Sequence, residues 1–271
     1  MDIGISTWSI PWAVGVKNYP QPEVPVSAEA LMRRATELDV KVVQFADNLP
    51  VDQLPDSQLD LIAQRAAEWE LVVELGTRTL DVPHLRRYVE VAARIGSRIV
   101  RTVLSGSLLG REEVHGAKNS LFELLPDLER HEIAIALENN EAFSAREFAE
   151  IVHAIDSPLV GICLDTANSL GRTETIESVV HELAGEAIML HAKDYEIQRI
   201  DTRMGYTIEG RPLGDGRVDF EFVLGKLRES RRDGISAIIE HWPPFDGDIE
   251  STISREDEWL TTSVVALRAL L

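Results

Sequence analysis

The stretch IAIALENN, residues 133–140, begins with alternating and contiguous apolar residues and ends in a carboxylate, Glu138, followed by two asparagines. A short apolar run that is bounded by polar residues is typical of a buried strand. The stretches GICLDTAN, AIMLHAKD and SAIIEHW repeat this pattern and place Asp165, His191 and Glu240 at or near the ends of three further strands. One polar residue at each of four strand ends predicts that these residues share a site.

Strand-like and helical segments alternate along the whole chain. Apolar runs predict strands at residues 3–6, 42–45, 71–75, 98–103, 133–137, 159–164, 187–190 and 235–239. Between them, apolar residues recur at the i, i+3, i+4 and i+7 spacing of amphipathic helices. Such strand-helix units are most economically closed into a single (β/α)8 TIM barrel, an α/β fold that forms one domain over residues 1–271. A doubly wound open sheet is the alternative, but the first strand lacks the glycine-rich turn of its nucleotide-binding versions.

Polar residues in front of the helical segments predict where the helices begin. Ser144 and Glu147 have the spacing of a capping box. Four other N-caps are predicted at Ser27, Thr173, Asp219 and Ser254. Pro126 lies inside an apolar helical pattern, so we expect that helix to be kinked or to begin late.

The two kinds of connection differ in length. Connections from helix to strand are short, whereas two connections from strand to helix, residues 8–26 and 194–218, are long. Long loops are commonly functional, and in (β/α)8 barrels the strand-to-helix loops form the catalytic face. Trp8, Trp12 and Tyr206 lie in these loops, where aromatic rings either cover a sugar ring or pack the loop onto the barrel rim. We predict substrate contacts for Trp8 and Trp12.

The composition argues against several classes of function. The chain carries 46 acidic and 27 basic residues, a formal net charge of −19, which opposes binding to nucleic acid. No apolar stretch approaches the roughly 20 residues of a membrane span, and no signal-peptide pattern is present. The single cysteine, Cys163, cannot form a disulfide within the chain. We therefore expect a cytoplasmic protein with a small-molecule substrate.

Three carboxylates and one imidazole at one face of a barrel would repel one another without a cation between them. Oxygen-rich ligation with one histidine suits Mn²⁺ or Mg²⁺, and it tolerates Co²⁺ or Zn²⁺. A single acid at a strand end is as well explained by a helix cap or a salt bridge. Four such residues on four strands predict a metal site, because barrel catalytic residues come from the ends of several strands.

The motifs ALENN, CLDTAN, LHAKD and IIEHW resemble the metal-binding strand ends of the xylose isomerase-like TIM-barrel superfamily, particularly its sugar epimerase and inosose isomerase or dehydratase branch. The segment RPLGDGRVDF is similar to the one that precedes helix seven in that group. The resemblance implies that Glu138, Asp165, His191 and Glu240 are metal ligands and that the two glutamates act as acid and base. It implies a divalent-metal-dependent isomerase or epimerase that moves a proton through the enediolate of a small keto-sugar or polyol. It also implies a homo-oligomer, either a dimer or a tetramer.

The chain departs from the 3-epimerases of that group at positions that bear on the reaction. Asn168 stands where those enzymes carry a substrate-contacting histidine, and Lys193 is more similar to the dehydratase branch. Lys193 and Arg101 are suited to bind a substrate carboxylate or to stabilise an enolate. The alternative for both is a salt bridge at the rim with Asp194 or Glu74. A lyase, either a dehydratase or a decarboxylase acting on a keto-inositol or 3-oxo sugar acid, is favoured if both cations face the metal.

Two other classes of function remain open. An apurinic endonuclease family with this superfold acts in DNA repair, but its metal centre needs further histidines, and the third and fourth predicted strands end in Glu74 and Arg101 instead. A barrel that only binds sugar or metal is also consistent with the fold. His241 follows Glu240 and is predicted to face the other side of the strand, where it supports the glutamate.

Overall fold

Eight parallel strands form a closed barrel, as the alternating pattern predicts. The computed structural model describes residues 1–104, 111–230 and 234–271. In chain order, the strands of the described residues are β1 Asp2–Ser6, β2 Val42–Phe45, β3 Val72–Thr77, β4 Ile99–Val103, β5 Ala134–Glu138, β6 Val160–Asp165, β7 Ala187–Ala192, β8 Asp194–Arg199, β9 Tyr206–Arg211 and β10 Ser236–Ile239. All except β8 and β9 belong to the barrel. The barrel closes where β1 pairs with both β2 and β10. The predicted (β/α)8 barrel is confirmed.

Helices connect successive barrel strands and cover the barrel from outside. They are α1 Pro11–Val14, α2 Ala28–Glu37, α3 Asp56–Glu68, α4 Val82–Ile95, α5 Arg111–His131, α6 Ala145–Ile155, α7 Ile176–Leu183, α8 Phe220–Glu229 and α9 Ile249–Leu270. Each of the amphipathic helices buries an apolar stripe, as Leu85, Val89 and Ala92 show for α4. None of the helices in these described ranges is long and apolar enough to cross a bilayer.

The predicted helix starts are partly right. Ser27 and Asp219 cap α2 and α8, and Ser144 forms the predicted capping box with Glu147. Two predictions were wrong: Thr175 caps α7 instead of Thr173, and Asp248 caps α9 instead of Ser254. Thr173 has a φ of 62° and ends the preceding 3-10 turn, a conformation that an N-cap does not adopt. Helix α5 does not begin late, because it runs through Pro126.

The connection at residues 194–218, predicted as a loop, contains regular structure. Strands β8 and β9 pair antiparallel in a hairpin that is separate from the barrel sheet. Tyr206, one of the aromatic residues in this connection, is exposed on the hairpin, and its ring lies against the guanidinium of Arg199, 4.5 Å from ring centroid to Cζ. The hairpin therefore extends the face of the barrel at which the strands end.

The barrel interior is packed closely at Gly4. A Cβ placed there would lie 2.7 Å from the Cβ of Val42 and would also clash with the Cδ1 of Ile238. Val42 and Ile238 belong to the apolar cluster that fills the barrel. Real Cβ atoms do not approach so closely, so a side chain at position 4 must displace its neighbours.

We expect Gly4→Ala to lower the free energy of unfolding by about 2 kcal/mol, the usual effect of overpacking a core. Gly225→Ala in α8 is the matched control, since nothing lies within 4 Å of the added Cβ there. It should stabilise the protein by about 0.5–1 kcal/mol, because alanine favours a helix interior over glycine. Urea unfolding of the two variants measures both effects, and equal changes would contradict the packing described for Gly4.

A buried carboxylate, Glu256, joins the last helix to the first. Its Oε2 accepts a hydrogen bond from the backbone N of Trp12 at 2.9 Å, and its Oε1 accepts one from the N of Ala13 at 2.6 Å. Burial raises the pKa of Glu256 to about 8, although the two backbone N–H groups act in the opposite direction. The side chain therefore remains protonated in the folded protein at a pH where it is ionised in the unfolded chain.

This difference in pKa predicts how stability depends on pH. Between the unfolded pKa of about 4.3 and the folded pKa, the folded state holds a proton that the unfolded state has released, so stability falls as pH rises. The slope from this one group is at most about 1.4 kcal/mol per pH unit. Glu256→Gln should have a flatter profile than the parent protein in urea unfolding between about pH 5 and pH 8. Parallel profiles would show that the protonation of Glu256 does not cause the fall in stability with rising pH.

Candidate metal centre

Four polar side chains meet at the carboxyl ends of neighbouring barrel strands. Glu138 and Asp165 are the last residues of β5 and β6, His191 is the penultimate residue of β7, and Glu240 follows β10 directly. In the barrel order β10, β7, β6 and β5 are consecutive. One ligand atom from each of the four side chains lies within 4.8 Å of the others, and all four residues are buried. The structure thus brings together the four residues that the sequence predicts to be near one another.

The chemistry of this cluster fits a divalent cation. Nδ1 of His191 lies 3.4 Å from Oε2 of Glu138 and 3.3 Å from Oε1 of Glu240. Neither ring nitrogen of His191 has a hydrogen-bond partner among the described residues, whereas Oε2 of Glu138 is contacted by Nε of Arg101. Buried polar atoms are normally hydrogen-bonded, so an unpaired imidazole that lies between two carboxylates favours a ligand there. Glu138, Cys163 and His191 form a second set, with one ligand atom from each within 4.8 Å of the others.

Arg101 extends from β4 into this cluster and is 2% exposed. Its Nε contacts a carboxylate oxygen of Glu138, and its Nη2 lies 3.9 Å from Oε1 of Glu240. On the other side of the guanidinium, Nη1 donates to Oδ1 of Asp47 at 3.1 Å and to the carbonyl oxygen of Thr77 at 3.2 Å. The guanidinium therefore faces the predicted ligands rather than the rim.

Lys193 is the second cation of the cluster and is 5% exposed. Its Nζ lies 2.8 Å from Oδ2 of Asp165 and 2.9 Å from Oε2 of Glu240. The rim salt bridge with Asp194 or Glu74 is not the arrangement that either cation adopts. Asp194 instead accepts hydrogen bonds from backbone N–H groups, and Glu74 accepts one from Gln44 at 3.4 Å inside the barrel.

Opposing influences set the protonation of the cluster. Burial disfavours the charge on Glu138, but the neighbouring Arg101 and His191 prevail and lower its pKa to about 2. Burial also opposes the ionisation of Glu240, whose pKa is nevertheless held well below its usual range by His191 and Lys193. For Asp165, burial prevails over Lys193 and raises the pKa. The two glutamates are therefore ionised at neutral pH.

Several amides hold the ligand side chains in place. Asn168 donates from Nδ2 to Oε1 of Glu138 at 2.6 Å, and its backbone N donates to Oδ1 of Asp165 at 2.7 Å. Oδ1 of Asn139 accepts from the N of Asp165 at 2.7 Å. Asn140 donates to the carbonyl oxygen of Leu104 at 2.8 Å and so supports a loop. Asn168 thus contacts a predicted ligand, and its substrate contact stays a prediction.

The two predicted aromatic residues have different surroundings. Trp8 is half-buried, and its indole Nε1 donates to Oδ1 of Asp47 at 3.2 Å. Trp12 is buried, donates from Nε1 to the carbonyl oxygen of Pro243 at 2.8 Å, and packs against Phe245 with ring centroids 5.2 Å apart. These contacts of Trp12 are those of a loop packed onto the rim. Substrate binding by Trp8 and Trp12 stays a prediction.

Three residues that the sequence analysis did not single out contact the cluster. Ser6 donates from Oγ to Oε1 of Glu240 at 3.1 Å, and Asp47 accepts from Arg101. The ring of Trp242 lies 5.4 Å from Nζ of Lys193. Ser6 is the last residue of β1, and Asp47 follows the end of β2 by two residues. A search for polar residues at strand ends, the pattern that indicated Glu138, would therefore have indicated them as well.

Two further hydrogen-bonded groups support the residues next to the cluster. His241, as predicted, faces away from the barrel interior: its Nδ1 lies 3.0 Å from the carbonyl oxygen of Ser9 and its Nε2 lies 2.8 Å from Oγ of Ser263. Oγ of Ser263 also accepts from the N of Leu213 at 2.9 Å. Burial lowers the pKa of His241 to about 4, so the ring is neutral at physiological pH.

The carboxylate of Asp194 organises the segment RPLGDGRVDF. Oδ2 accepts from the backbone N of Gly214 at 2.9 Å and of Gly216 at 3.0 Å, and Oδ1 accepts from the N of Val218 at 3.1 Å. A Cβ at Gly216 would clash with Oδ1 of Asp194, which explains the glycine there. The segment is therefore anchored on the residue that follows Lys193.

Two comparisons by sequence match most of this chain. A family model described as xylose isomerase-like TIM barrel matches residues 74–262. A protein of Pectobacterium atrosepticum described as 3-oxo-isoapionate decarboxylase is 32% identical over 264 residues, which cover 97% of this chain and 94% of the relative.

Solved structures with the same fold include proteins of different activity. A D-psicose 3-epimerase in the presence of D-fructose superposes with a TM-score of 0.73 at 13% identity, covering 99% of this chain and 98% of that one. A xylose isomerase-like TIM barrel protein from Mycobacterium smegmatis in complex with magnesium gives a TM-score of 0.70 at 14% identity, with 98% and 97% covered. The IOLI protein with a bound zinc atom gives 0.72 at 16% identity, with 98% and 99% covered. At such identities the likeness shows the shared fold.

Proposed function

We propose, from the premise that this chain belongs to the xylose isomerase-like TIM-barrel family, that it is a divalent-metal-dependent decarboxylase of a small 3-oxo sugar acid. The observation that carries the proposal is the position of Lys193 and Arg101, both of which contact the predicted metal ligands. The relative described as a 3-oxo-isoapionate decarboxylase supports it. Solved structures with this fold include an epimerase, but the two buried cations favour the lyase alternative over the isomerase.

Two buried cations in the cluster suit an anionic substrate. Arg101 contacts Glu138 and Asp47, and Lys193 contacts Asp165 and Glu240. If Glu138, Asp165 and Glu240 bind a divalent cation, they no longer serve only as partners of Lys193 and Arg101. A substrate carboxylate can then pair with these two side chains in a site where burial makes uncompensated charge costly.

The cluster residues have distinct tasks in such a reaction. Glu138, Asp165, His191 and Glu240 would hold the cation, which when bound polarises the ketone oxygen and stabilises negative charge on it. Arg101 orients the substrate carboxylate by its planar guanidinium. The carbon–carbon bond to that carboxylate breaks, its electron pair passes into the enolate, CO2 leaves, and one proton is added to the remaining carbon.

Lys193 has the position to complete this sequence. Its buried ammonium group stabilises the enolate oxygen, and such stabilisation is large where water is excluded. Burial disfavours the charged form, yet Asp165 and Glu240 prevail and raise the pKa of Lys193, so it is charged when the enolate forms. Lys193, whose Nζ lies 2.9 Å from Oε2 of Glu240, then gives one proton to the enolate carbon and regains a proton from solvent.

Carboxyl-labelled 3-oxo sugar acids test this proposal directly. With Mn²⁺ or Mg²⁺ present, we expect ¹³C-labelled CO2 to be released and, in D2O, one deuterium to enter the product at the carbon that carried the carboxylate. Removal of the metal with a chelator should stop the release, and added metal should restore it. Deuterium uptake without loss of CO2 would reject decarboxylation.

The isomerase or epimerase remains the second candidate, because Glu138 and Glu240 both flank His191 from different strands. Two carboxylates on either side of a polarised carbonyl suit the removal and the return of a proton. Neutral ketoses and keto-inositols in D2O test this candidate. Exchange of the α-hydrogen with all carbons retained, at a rate above that for any 3-oxo acid, would favour it.

A further inference from the structure

A cavity of about 410 Å³ lies beside the metal-ligand cluster, at the same face of the barrel. It is formed by the segments that follow β2 and β3 and by the first turns of α4. Its volume is in the range of small-molecule sites. The residues that line it are Asp47, Pro50, Asp52, Gln53, Thr77, Arg78, Thr79, Asp81, His84 and Tyr88.

Arg101 stands between this cavity and the cluster. Its Nη1 donates to Asp47 and to the carbonyl oxygen of Thr77, both of which line the cavity, while its Nε contacts Glu138. Trp8 donates to the same oxygen of Asp47 at 3.2 Å. One guanidinium group therefore lies between the predicted ligands and two of the residues that line the cavity.

The lining is rich in polar groups and poor in apolar ones. Three aspartates and one arginine give it a negative formal charge, which disfavours a phosphate or a second carboxylate. Two of these aspartates are engaged: Asp47 with Arg101, and Asp81 with the N of His84 at 3.0 Å. The third, Asp52, interacts with the hydroxyl of Tyr88, but its buried Oδ1 has no hydrogen-bond partner in the part of the chain that the structure describes.

An unpaired buried acceptor favours a ligand that brings hydrogen-bond donors without charge. Hydroxyl groups have this property. Thr77 and His84 hydrogen-bond to each other at 2.8 Å, and Thr79 accepts from the N of Asp81 at 2.9 Å, but each of the three side chains has further capacity to donate or accept. Pro50 and the ring of Tyr88 supply limited apolar surface for the carbon chain between hydroxyls. The cavity thus has the chemistry of a site for a neutral polyol.

We propose that this cavity binds the polyhydroxylated arm of the substrate, whose carboxylate lies against the other side of Arg101. The inference rests on the proposed function and specifies its substrate class: a sugar acid with an uncharged, hydroxylated chain extending from the 3-oxo group. It assigns Asp52 as a specificity-determining residue outside the reacting centre. A phosphorylated arm is rejected by the acidic lining.

Titration of the ¹⁵N-labelled, metal-free protein with xylitol tests the cavity without any turnover. We expect amide shifts confined to residues 47–53 and 77–84, and inorganic phosphate should leave these signals in place. Asp52→Leu should weaken xylitol binding by about tenfold, the usual effect of losing a hydrogen bond to a charged group. Asp201→Leu, at an exposed position in the hairpin turn, is the matched control and should bind as the parent protein does.

Shifts elsewhere, no saturable shifts, or unchanged binding by Asp52→Leu would each overturn the inference. If Asp52→Leu does not fold, Asp52→Ala replaces it, because alanine also removes the acceptor, and an unchanged dissociation constant for that variant has the same meaning. Release of CO2 without xylitol binding would leave the proposed function standing and reject the cavity. Xylitol binding without CO2 release would support the cavity as a polyol site and reject the proposed function.

Discussion

Replacing Asp165 with asparagine is expected to abolish stoichiometric binding of a divalent metal and to lower turnover by about 1000-fold or more. The amide keeps the two backbone hydrogen bonds of the carboxylate but not its charge. Oδ1 of Asp165 accepts from the N of Ala167 at 2.8 Å and from the N of Asn168 at 2.7 Å, and an amide oxygen can accept both. The anionic oxygen, Oδ2, is lost, and with it the hydrogen bond from Nζ of Lys193 at 2.8 Å.

Cys163→Ala is the control that separates the two candidate ligand sets. Both sets contain Glu138 and His191, but one adds Asp165 and Glu240 and the other adds Cys163. Cys163 packs among apolar side chains inside the barrel, so we expect the alanine variant to keep its metal. Metal content after dialysis, with the rise in melting temperature on adding Mn²⁺, measures binding independently of activity. If Cys163→Ala loses the metal and Asp165→Asn retains it, the expectation is wrong and the ligands are Glu138, Cys163 and His191.

The second large effect is expected for Lys193→Met. Turnover of a 3-oxo sugar acid should fall by about 100-fold to 1000-fold, because the enolate loses a buried cation. Metal content should not fall, since Lys193 is not among the predicted ligands. Full turnover by this variant would reject the lyase mechanism proposed above.

The same variant has a stability effect that removal of a surface lysine would not produce. Without metal, Asp165 and Glu240 lose the buried ammonium group that lies 2.8 and 2.9 Å from them, and we expect a loss of about 3–5 kcal/mol. Adding metal should recover most of it. Lys226→Met is the matched control: this lysine is on α8 and pairs with Glu229 at the surface, so it should change stability by less than about 1 kcal/mol.

Much of the barrel and of the metal-ligand cluster was predictable from the sequence for a simple reason. Parallel strands that alternate with helices must place their carboxyl ends at one face, so strand-end residues such as Glu138 and His191 meet whatever the details of the loops. The strand pattern alone therefore brought four distant residues to one point. Their roles as ligands stay a prediction.

Other features were not predictable, because they depend on contacts between distant segments. The hairpin of β8 and β9 carries polar and charged residues typical of a loop, and its pairing is visible only in the fold. The orientation of Arg101 was open, since a strand-end arginine suits a rim salt bridge equally well. The cavity beside Arg101 is formed by two loops and a helix that are distant in sequence. No local sequence pattern indicates that these three segments pack together.

The segment between β9 and α8 is held by two residues that directly follow cluster residues in sequence. Asp194, which follows Lys193, accepts hydrogen bonds from three backbone N–H groups of the segment. His241, which follows Glu240, is linked through Ser263 to Leu213 of the segment. A chimera that imports this segment from a relative must therefore also import compatible residues at positions 194, 241 and 263. Without them, the graft would shift Lys193 and Glu240 together, so substrate range in this chain cannot be re-engineered one loop at a time.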